Sequence, residues 1–370
     1  MSTPAQVSLD VSPDVSLDTA GEYQARLAHL WEKNLGVSVG SLDDYFKSGG
    51  DSLRGTELIN WIYEDFGIEL SLLDIFEFRT IAAQTDLLLA KVGSSDSVTG
   101  KPVTEYCFFG PDQARLFGAL HRARSNGREA GVILCYPMGQ EYMRIHRTYV
   151  ELARSLAASG RHTLRFDYYG CGDSGGEAAD GTLKRWTDDI CQAAQMLRDQ
   201  AGVRQVYLVG ARIGANLALS AGAKVEDLAG IVLWEPVVNG VDHIATLRRA
   251  HHDLLASNAE LDGYEQHQLP NCIAELVGYP ITNELYEELA AIDLLATPSE
   301  TMPELLLLAN SEKPLIEAYA ALLRNSDARF DYVIADESDR IWLKEDRRHK
   351  GVIPARAVQA IASWLSGRDE

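Results

Sequence analysis

The sequence predicts two domains of different class: a small all-α four-helix bundle over residues 21–92, then over residues 105–370 an α/β domain with a mostly parallel sheet, helices on both faces and a helical lid. Three observations predict this. The first quarter of the chain carries apolar residues at helical spacing with no strand-like run. The segment GSSDSVTGKP, from Gly93, breaks the pattern with linker composition. Beyond it, short apolar runs alternate with helical stretches. At 370 residues the chain also exceeds the ~250–300 residues at which single cores stop growing.

In the first domain, Leu27, Leu30, Trp31 and Leu35 define one face of a helix beginning at Gly21. A loop, VSVGSLDDYFKSGGD, leads to a second helix starting at Ser52, with Leu53, Leu58, Ile59 and Ile62 aimed at a core. Ile68 to Phe76 holds a short turn or helix, and Thr80 to Val92 forms the last helix through Ile81 and Leu87 to Leu89. Residues 1–20 read as a disordered tail without the basic and apolar regions of a signal peptide, and residues 93–104 as a linker. In the second domain GVILCYP, HTLRFDYY, QVYLVGA, GIVLWEPV, ELLLLAN and FDYVIA are strand-length apolar runs. Residues 241–302 interrupt their rhythm with a long, mostly helical insertion, placed where a lid would sit.

Composition excludes several functions. No run of ~18 apolar residues spans a membrane, and a formal charge of −20 disfavours nucleic acid and anionic membrane surfaces. Residues 1–99 hold 16 acidic and 6 basic side chains, so this small module is expected to seek basic surfaces on its partners. The five cysteines lack paired or metal-ligand spacing, which fits reduced thiols in the cytoplasm and no metal site.

The string FKSGGDSL, Phe46 to Leu53, carries the clearest chemistry in the first domain. Two glycines permit a tight turn, Asp51 suits a helix N-terminus, and Ser52 follows at the helix start, where a phosphodiester is stabilised by free backbone N–H groups. Ser is also a common helix cap, so the string alone permits a purely structural Ser52. With the surrounding bundle pattern, the segment resembles peptidyl and acyl carrier (thiolation) domains, and more closely the peptidyl type of nonribosomal peptide synthetases. The resemblance implies 4′-phosphopantetheine attached to Ser52 and a phosphopantetheinyl transferase as partner. It also implies an adenylation or other loading enzyme, and tailoring or condensing enzymes of an assembly line.

Three strings of the second domain stand in order: GVILCYPMG, RFDYYGCGDSGG and VYLVGARIGANLAL. They resemble the oxyanion-loop strand, the D-x-x-G-x-G-x-S stretch and the nucleophile elbow of the α/β-hydrolase superfamily. YGCGDSGG, an elbow Arg and LWEPVVNG are similar to a narrower group, the hydrolase-like proteins associated with exosortase gene clusters. The resemblance implies oxyanion-type backbone groups at Met138, Gly139 and Ile213.

The elbow reads Gly210-Ala211-Arg212-Ile213-Gly214, with Arg212 at the nucleophile position. A guanidinium stays protonated and is no nucleophile, so an elbow acyl-enzyme is ruled out. Alignment with the superfamily places Glu312 as the acid and His349 as the histidine. Both are equally readable as surface residues, and the first half of the 336–351 loop aligns as well as the second. Arg212 is expected either to pair with Glu312 or Glu235 as a lock, or to clamp a substrate carboxylate or enolate. Cys171, in the glycine-rich loop, is a substitute nucleophile candidate; Cys135, inside a strand, reads as a small hydrophobe. His146 is a further acid–base candidate.

Two functions follow. The first is an enzyme acting on a carrier-borne acyl or aminoacyl thioester in natural-product assembly, by acyl transfer, elimination or proton abstraction. The alternative is a non-catalytic pseudo-hydrolase that docks, shields or presents the carrier-bound intermediate.

Overall fold

The computed structural model describes residues 19–66, 68, 70, 72–93, 104–123, 129–257, 272–296, 303–335, 342 and 353–368. The chain divides into two compact units, Met1–Ser97 and Val98–Glu370.

The first unit contains α1 (Thr19–Leu35), α2 (Ser52–Phe66), α3 (Leu72–Glu77) and α4 (Ile81–Gly93). α1 begins inside the expected 1–20 tail; residues 1–18 of that tail, and 94–103 of the expected linker, lie outside the described residues. The predicted helical stripe is the core: Leu27, Trp31, Leu58, Ile62, Ile75, Ile81 and Leu88 are fully buried together. Polar groups drawn into that core are paired. Trp31 Nε1 donates to Gln84 Oε1 at 3.0 Å, tying α1 to α4, and Tyr45 Oη donates to Asn34 Oδ1 at 2.6 Å. A buried donor without its acceptor would cost ~1–3 kcal/mol.

The second unit is built on an eight-stranded sheet. Its strands are β1 (Thr104–Phe109), β2 (Leu116–His121), β3 (Ala130–Cys135), β4 (Thr163–Phe166), β5 (Gln205–Ala211), β6 (Leu228–Trp234), β9 (Glu304–Ala309) and β10 (Phe330–Ile334), in the order β1-β2-β4-β3-β5-β6-β9-β10. β3 to β10 pair in parallel within it, whereas β1–β2 and β2–β4 are antiparallel. The six apolar runs of the sequence are the six parallel strands. β3 is buried along its whole length, which is why it reads as an unbroken hydrophobic run; β4 is equally buried but carries Thr163 and Arg165. Between them run α5 (Gly139–Ala158), α6 (Leu183–Ala201), α7 (Ile213–Gly222), α8 (Gly240–Ser257), α9 (Asn283–Ala290), α10 (Pro314–Arg324) and α11 (Ala355–Ser366).

The insertion expected to be a helical lid over 241–302 differs from that picture. It holds α8 and α9 but also a two-stranded antiparallel hairpin, β7 (Cys272–Leu276) and β8 (Tyr279–Thr282). Val277 and Gly278 turn the hairpin at φ 53° and 79°. Residues 258–271 and 297–302 of the insertion lie outside the described residues.

Candidate functional site

At the carrier-type loop, Gly49 adopts φ 99°, a conformation that favours glycine, and a Cβ on Gly50 would stand 2.4 Å from the Tyr45 ring. Asp51 Oδ1 accepts the Arg54 N–H at 2.8 Å, so Asp51 is the cap of α2, and Ser52 is the first helical residue. The structural role that Ser52 was free to hold in the sequence belongs to its neighbour.

The elbow of the second unit is fully formed. Arg212, between β5 and α7, sits at φ 55° and ψ −125°, a strained conformation for a residue with a side chain. Its N–H donates to the Trp234 carbonyl at 2.9 Å. A Cβ on Gly214 would stand 2.2 Å from the Cys135 carbonyl oxygen, and one on Gly210 would stand 2.3 Å from that of Gly214. These glycines are demanded by backbone approach, whatever residue occupies position 212.

Arg212 pairs with neither Glu312 nor the Glu235 carboxylate. Its Nε donates to Glu141 Oε1 at 2.9 Å, and Glu141, in the first turn of α5, is 1% exposed. Nη1 donates to the main-chain carbonyl of Glu235 at 3.2 Å. Nη2 lies 3.5 Å from His243 Nδ1, and the guanidinium carbon lies 5.7 Å from the Trp342 ring centre. A cation at the start of α7 opposes the helix dipole, whereas a carboxylate at the start of α5 is favoured by its own. The Arg212–Glu141 pair satisfies both ends. Burial, then the Arg212 charge, push His243 down to about 3, so it is neutral and no acid–base group near neutral pH. Its buried Nε2 has no hydrogen-bond partner among the described residues, and neither has the buried Glu141 Oε2.

Glu312 corrects the expected acid. It is exposed, and among the described residues it makes no hydrogen bond or ion pair. The reason is that β9 ends at Ala309 and the buried turn position goes to Asn310, leaving Glu312 facing solvent. The buried strand-end acid is Glu235, one strand over and fully enclosed at φ 47°. Its carboxylate accepts from the Asn310 N–H at 3.1 Å, from Lys313 Nζ at 2.7 Å and from Trp342 Nε1. His349 lies outside the described residues. Trp342 is the described residue of the 336–351 loop, and it stands against Arg212 and Glu235.

Cys171 is not an activated nucleophile. Its Sγ lies 3.7 Å from Tyr279 Oη of β8, and burial pushes the thiol up to about 11. A thiol so raised is protonated at neutral pH, and its thiolate grows tenfold per pH unit until about 11. Iodoacetamide is therefore expected to modify Cys171 far more slowly than a free cysteine at neutral pH, and faster as pH rises; peptide mapping of the alkylated chain checks this. Cys135 is fully buried with its thiol raised further by burial.

Met138 precedes α5, while Gly139 and Ile213 open α5 and α7, where first-turn N–H groups have no intrahelical acceptor. Gly139 has φ 60°, and a Cβ there would lie 3.4 Å from Tyr279 Cβ, so the β7–β8 hairpin stands over the oxyanion-type loop. A cleft of about 350 Å³ opens beside the elbow, lined by Arg212, Glu235, Val238, His243, Thr246 and Lys313 among others. Glu141, Lys313, His243 and Trp342 were not foreseen in the sequence. The only local signals were a carboxylate two residues past Gly139 and an apolar triplet, Ile341 to Leu343, inside a charged loop.

Residues 25–88 match the family described as Phosphopantetheine attachment site, and residues 130–270 match Serine aminopeptidase, S33. The chain joins a phosphopantetheine carrier domain to an α/β-hydrolase domain. The carrier domain implies a covalently attached 4′-phosphopantetheine. It is 40% identical over 79 residues to gramicidin S synthase 2 of Brevibacillus brevis, a match covering 19% of this chain and 2% of that protein. Tyrocidine synthase 3 of Brevibacillus parabrevis is 26% identical over 168 residues, 42% of this chain and 2% of that protein. The chain thus spans about 2% of the length of these relatives. Solved structures similar to the hydrolase domain include a putative hydrolase from Agrobacterium vitis S4, at 20% identity and TM-score 0.44, covering 72% of this chain and 99% of that one. Another is Est1E from Butyrivibrio proteoclasticus, at 15% identity and TM-score 0.46, covering 71% of this chain and 98% of that one. Among the described residues no helix is long and apolar enough to cross a membrane.

Proposed function

We propose that the α/β-hydrolase domain is a non-catalytic module of natural-product assembly that receives and shields a carrier-borne acyl or aminoacyl thioester in the cleft beside Arg212. The observation that carries this reading is the closure of the elbow: Arg212 is held by a buried carboxylate at 2.9 Å, and the buried acid Glu235 is spent on Lys313, Asn310 and Trp342. A strained elbow, a neutral His243 and a protonated Cys171 offer neither a nucleophile nor a base. A carrier arm raises the effective concentration of its cargo at such a cleft without new contacts.

A second reading rests on one observation. The Arg212 side chain keeps 16% exposure, and with Lys313 it lines the cleft, so two cations reach the space where a thioester carbonyl would lie. That arrangement polarises a carbonyl without a covalent intermediate.

One experiment separates them. The carrier is loaded with an acyl-phosphopantetheine, and intact mass is followed with and without hydroxylamine. Shielding predicts no spontaneous loss of the acyl group and slower hydroxylaminolysis in the wild type than in Thr246→Trp, which narrows the cleft. Release or transfer of the acyl group by the wild type, abolished in Arg212→Gln, would overturn the shielding reading in favour of the catalytic one.

A further inference from the structure

The hydrolase domain has a second cleft, of about 310 Å³, that shares no lining residue with the first. It forms where the sheet outruns its helical cover. α5 packs on β4 and β2, and β1 continues past it at the sheet edge. Register puts Tyr106, Ala119 and Arg165 in one row across three strands, and the small Ala119 leaves open space between the two long side chains.

Arg165 is buried, with 8% exposure. Its Nε donates to His121 Nε2 at 3.0 Å and its Nη1 to Tyr136 Oη at 3.2 Å. Among the described residues these are its hydrogen-bond partners, and both are neutral. Burial, reinforced by the Arg165 charge, pushes His121 down to about 3, so its Nε2 is an acceptor and its Nδ1–H faces Thr104 Oγ1 at 3.1 Å. Tyr136 in turn meets His146 Nδ1 at 3.4 Å. Two carboxylates line the same cleft and neither binds the guanidinium. Asp167 accepts from Tyr142 Oη at 2.7 Å and from the Asp173 N–H at 3.0 Å, and Asp173 is exposed. A buried cation is ordinarily paired, because leaving it unpaired costs several kcal/mol. Here, among the described residues, no carboxylate lies within ion-pair distance of the guanidinium.

We propose that this cleft binds a small organic carboxylate, whose oxygens meet the Nη1/Nη2 fork of Arg165 and whose apolar body lies against Tyr106 and Phe117. Those two rings stack at 6.0 Å and 8°, forming a flat wall. The cleft is also lined by Arg154, whose Nη1 pairs with Glu151 Oε1 at 3.0 Å, while Asp167 and Asp173 stand nearby, so the nearby charges favour a single carboxylate over a phosphate dianion. The volume lies at the small end of ligand pockets, matching a body the size of one aromatic ring.

Benzoate is the probe, measured against the full chain by ligand-observed NMR and by the rise in unfolding temperature that a native-state ligand causes. Benzamide has the same shape without charge, and inorganic phosphate has charge without the ring. Benzoate is expected to bind at millimolar concentration, with benzamide and phosphate each about tenfold weaker. Arg165→Gln should lose benzoate by about tenfold or more. Tyr106→Ala, at a side chain 68% exposed and so safe for folding, should lose it severalfold. If Arg165→Gln does not fold, the benzoate–benzamide comparison and Tyr106→Ala still decide. Equal binding of benzamide, tighter binding of phosphate, unchanged binding by folded Arg165→Gln, or no binding of benzoate would each overturn the proposal.

Discussion

Incubation of the chain with coenzyme A and a broad-specificity phosphopantetheinyl transferase is expected to add one 4′-phosphopantetheine arm, and Ser52→Ala is expected to add none. Ser52 opens α2 within the matched carrier segment. The loop before it is shaped by Gly49 at φ 99° and by Gly50, whose hydrogen lets Tyr45 close over it. The start of a 15-residue helix favours the phosphodiester that the reaction leaves there. Loss of the arm in Ser52→Ala is not expected to reflect misfolding, because the helix cap is Asp51. Asp51→Ala should cost ~1 kcal/mol, whereas Ser52→Ala should leave the unfolding temperature nearly unchanged, since alanine is at home in a helix. Intact-mass spectra and thermal melts of the three proteins check both halves. An arm that persists in Ser52→Ala would move the attachment to another serine.

The second large effect is expected at the elbow. Arg212→Met removes the partner of a carboxylate that is 1% exposed, and stranding a buried charge costs ~3–5 kcal/mol. For a domain of this size that is a fall of ~6–20 °C in unfolding temperature. Glu141→Met should also destabilise, but less, because Arg212 keeps 16% exposure to water. The double variant Arg212→Met/Glu141→Met should recover much of the loss, since replacing a buried pair by apolar groups is often near neutral. Thermal unfolding of the four proteins forms a double-mutant cycle, with an expected coupling of at least ~1–3 kcal/mol. Additive losses would mean that the pair is not a unit.

What could be read from the sequence, and what could not, follows from burial. The central parallel strands β3, β5, β6 and β9 announced themselves because both faces are largely covered, so each is a mostly apolar run. β1 was not read as a strand, although β10, at the other sheet edge and as exposed, was. The β7–β8 hairpin was hidden by its brevity within a segment otherwise dominated by helix. At the elbow, Gly210 and Gly214 are spaced by a local backbone requirement and so are visible in sequence. The partner of Arg212 is not, because Glu141 lies 71 residues away and is brought there only when α5 and α7 both pack on the sheet. The same holds for Glu312, which satisfied the alignment although the chain turns it outward after Asn310. Ser52 is legible because its loop is specified by its immediate neighbours.

The Arg212–Glu141 pair also constrains the substitutional routes open to this fold. Placing a serine at position 212 by a single change leaves Glu141 charged and enclosed; changing Glu141 first strands the guanidinium instead. Either intermediate gives up a sizeable part of the ~5–15 kcal/mol that keeps an ordinary domain folded. A serine elbow therefore lies across a stability valley rather than one step away, and the arginine is retained by its neighbour whether or not any ligand selects for it.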